Sequence, residues 1–311
     1  MAINERFQGQ CAEDSPPLLR AAKRSGQREL PDDTGRCDAN PAASRRDVDA
    51  VRRLVPVTVI IPCYRCRDVI ERALASVAAQ TVLPEKVILV DDACPDTPVS
   101  FWQALAIRWP ELHIHTRHLK ENRGPADARN AGWDVANTAY IAFLDADDAW
   151  HPEKLAMQYQ WMSTHPWTHF SGHRRRSADR HISVSRSGWT EPCLLKLLLT
   201  NVFSTSTVMI RRNVPFRFEP GQRYAEDYRL WLQLIASGYR GVFLAAPISY
   251  RFKKAYGESG LSLRLWAMER GELAGFYHLL NSGKIGLPEW VFASVFSLLK
   301  FVKRLMVSAQ R

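Results

Sequence analysis

The chain has 311 residues, enough for one large α/β domain or two modest ones. Hydrophobic residues make up 46% of it and aromatics 10%, which excludes a wholly disordered chain and fits a protein with a real core. A formal charge of +10 points to an anionic partner (a nucleotide, a nucleic acid or an anionic membrane surface), and no run is long and apolar enough to span a bilayer.

Residues 1–54 are rich in Pro, Ser, Asp and Arg with scattered aliphatics, and they read as a disordered or loosely attached leader. Met1-Ala-Ile-Asn-Glu-Arg-Phe7 has no apolar core and acids follow at Glu13 and Asp14, so no secretory signal is expected. From Val55 the pattern changes. Val57-Thr-Val-Ile-Ile61 is a buried strand stopped by Pro62, and Val69 to Gln80 has the spacing of an amphipathic helix. Cys63-Tyr-Arg-Cys66 is a lone CxxC with no second pair and no histidine at zinc spacing, so its thiols read as ordinary and reduced. Lys86 to Val90 is a second strand ending in Asp91-Asp92. A helix over Val99 to Arg108, a strand over His113 to Arg117, a helix over Ala126 to Ala136 and a strand over Tyr140 to Leu144 follow. Strands alternating with helices predict a parallel sheet covered on both faces.

The second half is less regular. Pro152 to Thr164 reads as a helix, and Ser171 to Ser187 as a hairpin or loop carrying Arg174, Arg175, Arg176, Arg180 and Arg186. That cluster suits either an anionic acceptor or a solvated surface. Ser206 to Ile210 is a strand candidate, Glu226 to Ser237 a helix closed by Gly238, and Val242 to Phe252 is strand-like. Leu263 to Leu280 and Glu289 to Val307 are expected helices. The last is strongly apolar, with Lys300, Lys303 and Arg304 toward its end, a composition that fits a membrane interface, a helix packed on its own domain or a dimer contact.

Chemistry collects at the strand ends. Asp145, Asp147 and Asp148 close the strand Tyr140 to Leu144, where open α/β sheets bind their ligands. Carboxylates so crowded call for a hard cation, Mg²⁺ or Mn²⁺, bridged to substrate phosphates. Asp148 is read as a cap for the helix near Pro152. Pro62 and Tyr64 follow the first strand, Asp91 and Asp92 the second, and Gly124 and Arg129 lie in the segment before the carboxylate strand. Together they outline a nucleotide-diphosphate site, with an aromatic for stacking and arginines for phosphate.

The order of these segments carries more than any one of them. Val57-Thr-Val-Ile-Ile-Pro-Cys-Tyr64, Val90-Asp-Asp92, Asn122-Arg-Gly124 with Ala128-Arg-Asn-Ala-Gly132, Phe143-Leu-Asp-Ala-Asp-Asp148 and Ala225-Glu-Asp-Tyr-Arg-Leu-Trp231 closely resemble the motifs of the family-two glycosyltransferases. The resemblance covers roughly Val55 to Arg264, with Tyr250-Arg251 similar to a basic element after the Glu-Asp motif. Two positions depart from the family: Arg65 stands where Asn is usual, and Ala93 where Gly is usual.

The resemblance implies a GT-A (Rossmann-like) α/β fold with a mostly parallel central sheet, flanking helices and C-terminal helices. Its transferase domain would span residues 55–264, a nucleotide-binding half at 55–150 and an acceptor-binding half at 151–264, with helices over 265–311 as a possible membrane contact. It implies inverting transfer from a nucleotide-diphosphate sugar to a glycan or lipid-linked acceptor. Tyr64 and Asp92, with Asp91 nearby, would hold the nucleotide. Asp147 would bind the divalent ion with Asp145 beside it, and Asp227 would be the general base. Arg129 or Arg251 would assist the leaving diphosphate, with Pro62 and Gly124 in the donor loops. A sugar-phosphate nucleotidyltransferase is the rival enzyme, but Pro62-Cys-Tyr-Arg-Cys66 has none of the glycine its basic loop needs. A nucleic-acid-binding module is the non-enzymatic rival; acids crowd the edge where phosphate would lie, so no nucleic acid is expected.

Overall fold

The computed structural model describes residues 52–178, 188–252 and 264–309. The expected leader up to residue 51, Arg180 and Arg186 lie outside the described residues.

Strands β1 (Leu54–Cys63), β2 (Leu83–Asp91) and β4 (Tyr140–Phe143) are nearly continuous apolar runs. Such runs arise where both faces of a sheet are covered. Successive side chains alternate between two cores: Ile60, Ile88, Val90, Ile141 and Phe143 belong to one, Val57, Val59, Ile61, Val87 and Leu89 to the other. Helices α1 (Ile70–Ala78), α2 (Val99–Arg108) and α4 (Lys154–Thr164) cover the second core. The first core is covered by α3 (Pro125–Val135), α5 (Leu194–Leu199), α6 (Glu226–Ala236) and α7 (Leu265–Asn281), with α8 (Leu287–Ala309) contributing Ala293. Helix α3 lies close to the sheet because Gly132 has no side chain; a Cβ there would come within 2.6 Å of Ile60.

The remaining strands are β3 (Ile114–His118), β5 (Asp148–Trp150), β6 (Phe170–Ser177), β7 (Trp189–Thr190), β8 (Met209–Arg211) and β9 (Gly241–Arg251). One sheet joins them in the order β3-β2-β1-β4-β8-β6-β9-β5, with β7 on β9. From β3 to β4 every pairing is parallel, as the βαβ pattern predicts. Beyond β4 the sheet is mixed: β8 runs antiparallel to β4 and β6, β9 runs parallel to β6, and β5 is antiparallel to β9.

Three local expectations need correction. Ser171 to Ser177 is not a loop but most of β6, and residues 179–187 of that expected hairpin or loop lie outside the described residues; Phe170 to His173 are buried, and the arginines that follow mask the strand signal. Gln158 of α4 donates to Ser171 O and Oγ at 3.1 Å, anchoring that strand. Ser206 does not begin a strand. Thr205–Thr207 is a 3₁₀ turn before β8, in which the Thr207 hydroxyl donates to Ser204 O at 2.7 Å. Asp148 does not cap α4: it sits in β5, and Glu153 occupies the capping position.

Candidate active site

The carboxyl ends of β1, β2 and β4 open on one edge of the sheet. At the end of β2, both acids turn toward the protein. Asp92 accepts the backbone N–H groups of Arg123 at 2.7 Å and Gly124 at 2.8 Å, and the Asn122 side chain at 2.9 Å. Asp91 accepts the N–H of Cys94 at 2.8 Å and pairs with His118 at 2.9 Å. These acids therefore shape the two loops at this edge of the sheet. Gly124 has φ +93°, a conformation other residues adopt only under strain, and Arg223 closes over it, donating to Asn122 Oδ1 at 2.7 Å.

Tyr64 stands at the open end of β1, 44% exposed, just past Pro62, with the Arg65 guanidinium 5.5 Å from its ring centre. Arg65 and Ala93 both have left-handed backbone, at φ 49° and 51°. These are the two positions where the sequence departs from the family's Asn and Gly, residues that tolerate that conformation.

Arg129, on α3, is buried, and its guanidinium spans two acids: it donates to Asp145 at 2.8 Å and to Glu226 at 2.7 Å. This corrects the expectation of an arginine offered to phosphate. Burial alone would raise Asp145, but the Arg129 charge and a hydrogen bond from Ser206 outweigh it and hold the carboxyl below its ordinary range. Asp148 accepts from Arg175 at 3.2 Å; burial, with the Asp145 charge, pushes it up to about 6. Asp147 is half-buried in the turn between β4 and β5, and Arg72 of α1 donates to its backbone carbonyl at 2.8 Å while stacking on Phe252. Arg251 lies opposite Asp148 in the β5–β9 ladder, at the same loop.

Asp227 enters the same site from α6. Ala225 precedes the helix with left-handed φ 53°, and Glu226 and Asp227 fill its first turn, where the helix dipole favours acids. Asp227 accepts the Thr205 hydroxyl at 2.9 Å and the Tyr228 N–H at 2.7 Å. Burial raises its pKa, with Arg129 pulling the other way. Glu226 is pushed up to about 7 by burial, against the pull of Arg129.

Sequence reasoning missed the piece that joins these acids. Thr205 and Ser206 are neighbours in one turn; Thr205 donates to Asp227, while Ser206 Oγ accepts the Asp145 N–H at 3.2 Å. Ser206 O also accepts the indole N–H of Trp150 at 2.8 Å. The signal was present as Ser204-Thr-Ser-Thr207, a polar run in what reads as the start of a strand.

Among the described residues no group of three or more His, Cys, Asp or Glu forms a metal cluster. Mg²⁺ and Mn²⁺ in phosphate sites need only one or two carboxylates, completed by water and substrate phosphate. An ionised Asp145 beside the half-buried Asp147 fits that donor set.

A parallel first half, a mixed second half and two facing acidic motifs define a glycosyltransferase of GT-A fold. The chain belongs to glycosyl transferase family 2, whose model matches residues 58–223. Asp227 lies just past that matched segment. TuaG of Bacillus subtilis, a glycosyltransferase named for teichuronic acid biosynthesis, is 31% identical over 190 residues, 59% of this chain and 73% of that protein. WfaP of Escherichia coli, a UDP-Glc:α-D-GlcNAc-diphosphoundecaprenol β-1,3-glucosyltransferase, is 28% identical over 188 residues, 59% of this chain and 72% of WfaP. The mannosyltransferase PcManGT of Pyrobaculum calidifontis, solved with GDP-Man and Mn²⁺, superposes with a TM-score of 0.60 at 20% identity, covering 82% of this chain and 75% of that one.

Proposed function

We propose that the protein moves a sugar, with inversion, from a nucleotide-diphosphate sugar to a glycan or lipid-linked acceptor, with Asp227 as general base. The observation that carries this reading is the Arg129 bridge between Asp145 and Glu226, which sets the donor-side acids and the base motif on two sides of one guanidinium. Residues 16 and 97 positions from Arg129 thereby meet at one point.

Inversion at the anomeric carbon needs a single displacement. The acceptor oxygen forms its bond to that carbon as the bond to the diphosphate breaks, and the acceptor proton passes to Asp227. A hydroxyl is a poor nucleophile at neutral pH, so a carboxylate with a raised proton affinity is suited to this step. Thr205 and the Tyr228 N–H fix the rotamer of that carboxylate. Tyr64 is exposed for stacking on the base, while Asp91 and Asp92 brace the loops that flank the nucleotide. Asp147, with Asp145, would hold the divalent ion, which supplies charge stabilisation for the departing diphosphate. Arg251, opposite Asp148 in the β5–β9 ladder, would add a second positive charge there.

The diphosphate-lipid acceptor named for WfaP and the Mn²⁺ in the PcManGT complex favour the same choices here. A lipid-linked acceptor would place the reaction at the cytoplasmic face of a membrane, with residues 289–311 as the point of contact. The test is nucleoside diphosphate release from a panel of nucleotide sugars with Mn²⁺. Wild type should turn over at least one donor and Asp147→Ala should lose that turnover. A panel with no turnover or binding, or an unimpaired Asp147→Ala protein, would refute the proposal.

A further inference from the structure

Helix α8 is inside out. Its side toward the protein carries Ala293, Ser297 and Phe301, all buried, together with two cations. Lys300 donates to Glu272 and to Leu199 O, each at 2.9 Å, and Arg304 donates to Glu269 at 2.9 Å. Its outward side is apolar throughout: Val291, Phe292, Val295, Leu298, Leu299, Val302, Leu305 and Met306 are exposed, Leu299 to 64%. At 3.6 residues per turn these eight occupy an arc of about 140°. Scattered exposed aliphatics need no explanation, but a continuous face of this kind marks an interaction site.

The surroundings select the occupant. Trp266, at the start of α7, is 66% exposed and packs its ring 4.7 Å from that of Phe301, beside the apolar face. Arg264 just before α7, Arg270 on α7 and Lys303 on α8 are exposed. Of the acids on α7 and α8, Glu269 and Glu272 are turned inward and paired with Arg304 and Lys300, and Glu289 is half-buried in the first turn of α8, away from its basic end. The patch therefore presents apolar side chains, an amphipathic tryptophan and cations together. That is the chemistry of a helix lying in the plane of an anionic bilayer surface. An arc of this width suits a flat apolar layer better than the narrow seam of a helix pair. No helix among the described residues is long and apolar enough to cross a membrane, so α8 would lie on the bilayer.

We infer that the outward face of α8, with Trp266 and the cations Arg264, Arg270 and Lys303, docks the enzyme on an anionic lipid surface. This deepens the proposed function by naming the surface that would meet a membrane carrying the acceptor. It does not require glycosyl transfer to hold.

The test is sedimentation of the full chain with large unilamellar vesicles of phosphatidylglycerol and phosphatidylcholine, without donor or acceptor. Wild type should pellet with the anionic vesicles, less so in high salt, and much less with phosphatidylcholine alone. Val295→Glu combined with Leu299→Glu alters only exposed positions and should weaken binding by about tenfold or more. Arg270→Glu with Lys303→Glu should abolish the preference for anionic lipid. Circular dichroism and donor turnover in solution should be unchanged in both variants. Equal pelleting by wild type and the Val295/Leu299 variant would overturn the inference. So would failure of wild type to pellet, including the case of a concentration-dependent dimer that the same substitutions dissolve. Vesicle binding without any donor turnover would count against the proposed function alone.

Discussion

Arg129 is the residue on which the site turns. It is buried and shared by Asp145 and Glu226, so its removal strands two carboxylates in a low-dielectric setting. Arg129→Ala should cost about 3–5 kcal/mol of stability, read as a fall in the denaturant midpoint. For Asp227 the prediction concerns pH. Burial raises its pKa, so as pH falls the base is lost to protonation earlier than an exposed Asp would be. The acid limb of kcat/KM should therefore lie above the usual aspartate range, near pH 4. Glu226 has an effect of its own on stability. Its folded value, about 7, exceeds the ordinary 4.5, so the folded state holds the proton more tightly. The stability it confers is complete below pH 4.5 and is lost as pH rises through 7. Arg65 and Ala93 make a smaller point, since both carry left-handed backbone. Ala93→Gly should stabilise the protein by about 1 kcal/mol, seen as a higher Tm, because glycine bears that φ without strain. The identities of these residues were legible in the sequence, but their partners were not. Nothing local says that Asp92 accepts backbone N–H groups some 30 residues away at Arg123 and Gly124, or that Asp91 pairs with His118.

At the scale of elements, α7 holds the turn that precedes Glu226 and Asp227. Gly271 lies against the turn before Asp227; a Cβ there would fall 2.3 Å from Tyr224 O and 3.2 Å from the Ala225 side chain. His278 of the same helix meets Arg229 and Gln233 of α6, so the two helices are fixed side by side. Gly271→Ala should cost about 1–3 kcal/mol through overpacking, and it should lower kcat more than donor affinity because the turn that orients Asp227 must shift. An unchanged kcat would show that α7 does not position the base. The regular elements were the readable ones: α2 matches its expected span of Val99 to Arg108, and β1, β2 and β4 differ from expectation only at their ends. The short ones were not. Leu194-Leu-Lys-Leu-Leu-Leu199 is too brief to show a period, and β5 hides behind the acids of Asp145 to Asp148. In β6 three consecutive arginines overrode the strand signal of the buried residues before them.

For the whole molecule, the division of labour follows the sheet. Its parallel half, β3 to β4, ends on the edge that carries Asp91, Asp92 and Asp145, and its mixed half brings β5, β9 and the Thr205–Thr207 turn to the same edge. Parallel pairing was predictable because each crossover carries a helix, whereas the mixed half depends on contacts between residues far apart in sequence, such as Phe170 with Gly241. The surface shows a similar limit. Composition marked the last helix as apolar and basic, but only its packing reveals that the apolar side faces out.

In the proposed reaction Asp227 takes the acceptor proton in a metal-assisted sugar transfer. Asp227→Asn preserves the shape of the side chain and removes its basicity. With a productive donor and Mn²⁺, it should lower kcat by a factor of about 10²–10⁴ while leaving the thermal shift given by donor and metal intact. An Asp227→Asn protein that transfers sugar at the wild-type rate would show that Asp227 is not the base.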